Sequence, residues 1–128
     1  MERYDKSEFA EYFRNRTKKF VIDNIKLFRL LPKTEEAKII GRQLLRSSSS
    51  VGANYRAVCR ARSQAEFYAK LSIVVEEADE SLFWMEVLVE AELVKQTEIS
   101  PLMNEANEIL KVVSTARKSV SDNKKDNK

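Results

Sequence analysis

Histidine is absent from this sequence, and other residues are scarce: one cysteine, one tryptophan, two glycines and two prolines in 128 residues. Each shortage closes a class of function. Without histidine the chain lacks the commonest general base and the commonest metal ligand. Zinc sites of the Cys/His type and the Glu-x-x-His di-iron pattern of ferritin-like bundles are excluded. Cys59 stands alone, so no disulfide framework is expected. No apolar run approaches the roughly 20 residues needed to span a bilayer, and no membrane partner is expected. The first twenty residues are charged throughout, unlike a secretory leader, so a cytoplasmic location is expected.

What remains is rich in Glu, Lys, Leu, Ala and Arg. With so few helix breakers, that composition predicts an all-α protein. At this length the chain can bury one core in one domain. Apolar residues recur at three- and four-residue steps through four segments. The first helix is expected from about Asp5 or Ser7 to Leu30, with Phe9, Phe13, Phe20, Ile22, Ile25, Leu27 and Phe28 on its apolar side and Pro32 ending it. A short linker then makes the second helix an antiparallel neighbour. Thr34 is its N-cap, and it runs to about Ala61.

The serine-rich stretch Ser47–Ser50 in its middle looks like a loop. Around it, however, Ala37, Ile40, Leu44, Ser48, Val51, Tyr55 and Val58 stay on one helical face. Arg42, Arg46, Arg56 and Arg60 stay on the opposite face, within an arc of roughly 80°. The stretch is therefore expected to be helical, held by packing because serine is a mediocre helix former. Asn54, at the flank of the core face, is expected to hydrogen-bond to a neighbouring helix.

Ser63-Gln64-Ala65-Glu66 has the form of a capping box and starts a third helix, Gln64 to about Leu93. Its core stripe is expected to be Phe67, Leu71, Val74, Ala78, Leu82, Met85 and Val89. Ile73, Trp84 and Leu88 form a second apolar strip, which suggests burial against another subunit. A fourth helix is expected to begin between Thr97 and Pro101, with either Thr97 or Ser100 as its cap. It ends near Val120. The bundle thus occupies residues 1–120, and the polar stretch 121–128 is expected to be disordered.

Charge is divided by helix. Ala37–Ala65 carries six cations and no acid; Glu66–Glu92 carries eight acids against Lys70. The Arg42/Arg46/Arg56/Arg60 face therefore has two readings. It can meet the acids of the third helix, in its own subunit or in a neighbour, through bidentate arginine–carboxylate pairs. The acidic side of such a contact between subunits would be Glu76, Asp79, Glu80, Glu86 and Glu90. Alternatively the arginines are a footprint for nucleic-acid phosphates. Glu76, Glu77 and Glu80 have a spacing that any charged helix face gives, and no second carboxylate helix supports metal or acid–base chemistry. No catalytic residue, cofactor or metal is expected.

Gln43-Leu44-Leu45-Arg46-Ser47, then Ser50-Val51-Gly52-Ala53-Asn54-Tyr55-Arg56, Cys59-Arg60-Ala61-Arg62-Ser63, Glu66-Phe67 and Glu76-Glu77-Ala78-Asp79-Glu80 resemble the four-helix bundle family of 23S rRNA-intervening sequence proteins. The similarity covers roughly Phe20 to Val113. It implies an up-down-up-down antiparallel four-helix bundle that assembles as a homopentamer, encoded in bacterial genomes, without established catalysis. A similar bundle is the accessory protein of diversity-generating retroelements, which binds nucleic acid and a reverse transcriptase through a basic surface. The resemblance thus implies a binding or scaffold protein whose partners are further copies of itself. Alternatively it implies RNA or DNA binding with a reverse transcriptase or at rRNA. Two positions depart from the family pattern. Ala57 stands where an acid is frequent, and Glu92 where glycine usually ends the third helix, so that turn is expected to close without a left-handed glycine.

Overall fold

A computed structural model describes residues 6–126, with side chains as far as 122. Its elements are four helices: α1 Lys6–Leu30, α2 Glu35–Cys59, α3 Gln64–Glu90 and α4 Gln96–Asp126. Each packs on its neighbours in sequence, and α1 and α4 also touch. The contacts of α1 with α2 run in reverse order along the two helices. Cys59 Sγ approaches Ala10 O, Phe13 meets Tyr55, and Gly41 abuts Phe28 and Leu31.

The buried positions follow a heptad rhythm. On α1 they are Phe13, Thr17, Phe20, Asn24 and Leu27, continued by Leu31. On α3 they are Leu71, Val74, Val75, Ala78, Ser81, Met85 and Leu88. Steps of three and four keep one seam facing inward, as in the knobs-into-holes packing of bundles. The rhythm corrects several expectations that rested on apolarity alone. Ile22 and Ile25 are 42% and 37% exposed, while the polar Thr17 and Asn24 take core positions. On α3, Leu88 belongs to the main core, and Leu82 and Val89 are only partly buried. Phe9 stacks on Phe13 yet stays on the rim at 39% exposure.

The serine stretch is helical, and Ser47 and Ser48 are fully buried. Ser47 accepts a 3.0 Å bond from Ser81 Oγ across the α2–α3 seam. Each hydroxyl in the stretch that donates to a carbonyl three or four residues back is satisfied within α2, which removes the cost of burying it. Asn54 does the same, donating to Ser50 O and Ser50 Oγ, so it does not reach a neighbouring helix.

Both glycines of the chain lie against α1. A Cβ on Gly41 would stand 2.8 Å from Leu31 Cδ1 and from the Phe28 ring; one on Gly52 would stand 2.6 Å from Val21 Cγ2. The absent side chains are what let the two helices close.

The caps of α2 and α3 are as expected: Thr34 Oγ1 accepts from Ala37 N, and Ser63 Oγ from Glu66 N. The end of α3 closes without a glycine, as expected, but the helix stops at Glu90 rather than near Leu93. Glu92 takes the left-handed conformation itself, φ 61°. Leu93 N donates to Leu88 O and Glu92 N to Val89 O, the paired bonds of a Schellman turn. The geometry of the turn is kept, and a residue with a Cβ carries it.

Helix α4 starts at Gln96, which makes neither Thr97 nor Ser100 its cap and leaves Pro101 inside the second turn. The hydrogen bond forfeited at Pro101 is offset by packing, since Ile99 is fully buried and Leu102 lies against the core. At its other end α4 passes Val120 and continues to Asp126. The segment expected to be disordered from Ser121 is therefore helical through 126. Neither glycine nor proline follows Pro101, and each added residue gains a backbone hydrogen bond. Residues 127 and 128, and the alternative helix start at Asp5, lie outside the described residues.

Candidate functional site

Arg42, Arg46, Arg56 and Arg60 are all exposed, but the structure separates them. Arg46 turns to α3 of its own chain. Its Nη1 lies 3.2 Å from Glu77 Oε2, and its Nη2 donates to Glu80. Glu80 also accepts from Trp84 Nε1 at 3.0 Å. The Trp84 bond, with help from Arg46, holds the Glu80 carboxyl below its ordinary value against the opposing effect of burial. This cluster ties α2 to α3, and Arg46 itself remains half exposed, so its ion pairs contribute only about 0–1 kcal/mol each. One arginine of the four thus follows the reading in which charges pair within a subunit.

Arg56 and Arg60 lie on the flank of the arginine face toward α1. With Arg14 and Lys18 of α1 they line a groove of about 670 Å³ between the two helices. Its remaining walls are Val21, Ile22, Ser49, Gly52 and Ala53, with Asn15 at the edge. No acid lines it, and none of the four cations makes an ion pair among the described residues. The sequence pattern alone did not bring α1 to this site. The register that sets Arg14 and Lys18 beside Arg56 comes from the close approach at Gly52. Arg42 is further along the same seam, in a depression shared with Phe28, Leu31, Lys33 and Lys38.

The groove between α1 and α4 is of different character. Lys19, Asp23, Lys26, Glu98 and Glu105 line it with mixed sign. Lys19 is bound to Asp23 at 2.6 Å, and Arg16 forms a two-pronged contact with Glu105 at 2.7 and 2.8 Å nearby. Charge there is neutralised within the chain.

Of the expected acidic face, Glu80 is engaged by Arg46 and Trp84. Glu76, Asp79, Glu86 and Glu90 make no ion pair among the described residues. Among the described residues no group of three or more His, Cys, Asp or Glu is arranged to hold a metal ion. Cys59 is half-buried beside Ala10 O, and the Tyr55 phenol, pushed up by burial, stays protonated in the core. No helix among the described residues is long and apolar enough to cross a membrane.

Four heptad-packed helices define an all-α four-helix bundle. A model of the 23S rRNA-intervening sequence protein family matches residues 13–115, and the chain belongs to that family. It is similar in structure to a protein of unknown function from the S23 ribosomal protein family of Bacteroides thetaiotaomicron. The two share 30% identity with a TM-score of 0.77, covering 82% of this chain and 97% of that one. No match was found among curated proteins. Neither the family nor this structural relative carries an enzymatic assignment.

Proposed function

We propose that the chain is a non-enzymatic binding and scaffold protein that works as a homo-oligomer of up-down-up-down bundles. A pentamer is the assembly that the family resemblance implies. The observation that supports this reading is a pair of unsatisfied, opposite surfaces on one small bundle. No acid lines the groove of Arg14, Lys18, Arg56 and Arg60, and Glu76, Asp79, Glu86 and Glu90 make no ion pair among the described residues. Large apolar side chains stand between such charges, Ile22 at 42% and Phe83 at 52% exposure. Apolar residues rimmed by charge mark interaction surfaces. Size-exclusion chromatography with light scattering tests the reading. A mass several times the 14.8 kDa of one chain is expected, and a monomer at micromolar concentration rejects it.

A second reading is favoured by the acid-free groove itself. Its four cations suit the phosphates of RNA or DNA, as an accessory protein would bind them beside a reverse transcriptase or at rRNA. Four such contacts to duplex DNA give a slope of about −3 to −4 in log affinity against log salt. No detectable binding of RNA or DNA at low salt refutes this reading.

A further inference from the structure

The outer face of α3 carries Glu76, Asp79, Phe83, Glu86 and Glu90, again at steps of three and four. It is a straight stripe with an exposed phenylalanine at its centre and two acids on either side. Its ends, Glu76 and Glu90, stand seven residues from Phe83 each way, about 21 Å apart along the helix. The outer seam of α1 and α2 carries the opposite charge at the same overall spacing. Ser49 lies at its middle, near the half-exposed Ile22 and the concave floor at Gly52. Arg42 and Arg56 flank Ser49 by seven residues each way, again about 21 Å apart. At a spacing of seven the three share one face of α2. Lys33 and Lys38 accompany Arg42, as Arg14, Lys18 and Arg60 accompany Arg56.

We propose that the α3 stripe of one copy lies along the α1–α2 seam of a second copy. Phe83 sits against Ile22, Ser49 and Gly52, and the two acid pairs meet the two cation clusters. This rests on the self-assembly reading above and names the surfaces that carry it. A second copy fits the seam better than a nucleic-acid strand for two reasons. Phosphates match the cations but leave the apolar middle uncovered. The acids of α3 match no part of a polyanion, whereas a single contact between copies uses both surfaces. Stripe and seam belong to different helices, so the contact is heterologous, and repeating it generates a closed ring or a filament.

The test uses two charge-inverted chains with fully exposed or rim substitutions. One carries Arg42→Glu and Arg56→Glu in the seam; the other carries Glu76→Arg and Glu86→Arg in the stripe. Helicity by circular dichroism confirms that each folds. By light scattering each alone sets like charges together and assembles at least about a hundred-fold more weakly than wild type. Their equimolar mixture restores large species, because each inverted surface finds a complement in the other chain. The two chains must alternate, so even-membered rings or open oligomers form, a five-membered ring leaving one like-charged contact. Phe83→Gln, which leaves every charge in place, also weakens assembly. A wild-type mass for both inverted chains overturns the proposal while leaving self-assembly intact, as does a mixture that stays dissociated. Inverted seam chains that keep the wild-type mass but lose RNA binding assign the groove to nucleic acid instead. A monomeric wild type sinks the self-assembly reading itself.

Discussion

Replacing Gly41 with alanine sets two known effects against each other. In the interior of α2, alanine is favoured over glycine by about 0.8–1.0 kcal/mol through backbone entropy. At this position the added methyl meets Leu31 Cδ1 and two atoms of the Phe28 ring, all at 2.8 Å. Carbon atoms prefer a separation of about 3.5–4.0 Å, so Phe28 and Leu31 must retreat by about 0.7–1.2 Å. Leu31 is only 5% exposed and Phe28 packs on the core, so both must repack to make room. Overpacking of this kind costs about 1–3 kcal/mol. The expected balance is a loss of about 1 kcal/mol, read as a lower urea midpoint with an unchanged slope. Wild type and variant are compared at one protein concentration, since assembly contributes to apparent stability. In a Phe28→Ala background the clash is partly relieved, so the cost of Gly41→Ala falls and the two changes are non-additive. A stabilisation near the full 1 kcal/mol in the wild-type background would refute the close approach of α1 and α2.

Further outcomes are expected elsewhere in the bundle. Glu92→Gly relieves the left-handed backbone at the end of α3 and raises stability by about 1 kcal/mol, measured by thermal melting. Ser63→Ala removes the cap of α3 and costs about 1 kcal/mol in urea titration. Phe20→Ala empties a site that is 1% exposed and costs about 3–5 kcal/mol, enough to unfold much of a marginal population. Glu80 titrates below its ordinary value of 4.5, so its contribution to stability is present above that value and is lost as the pH falls through the folded one. Trp84→Phe removes the largest cause and moves the Glu80 titration up toward 4.5, as followed by carboxyl-carbon NMR; no movement contradicts the Trp84–Glu80 bond.

The sequence by itself determined four helices, the end of α1 at Leu30 and the starts of α2 and α3, because proline, the capping residues and the 3.6-residue period act locally. It also determined that Ser47–Ser50 is helical, since apolar and arginine faces run unbroken through the stretch. It marked Arg42, Arg46, Arg56 and Arg60 as one face. Polar core positions escaped it. Thr17, Asn24 and Ser81 are buried because the heptad register puts them inward, and hydrophobicity gives no signal for that. The partners of the arginines were decided only by tertiary structure. Which neighbour a cation meets depends on how far each helix slides and how closely it approaches. Gly41 and Gly52 set that approach for α1 and α2, giving Arg56 and Arg60 the company of Arg14 and Lys18. The α2–α3 seam, closed at Ser47 and Ser81, gives Arg46 to Glu77 and Glu80. Periodicity along one helix fixes a face but carries no information about distance across a seam. One arginine face therefore became an internal ion-pair cluster on one side and an open cationic groove on the other.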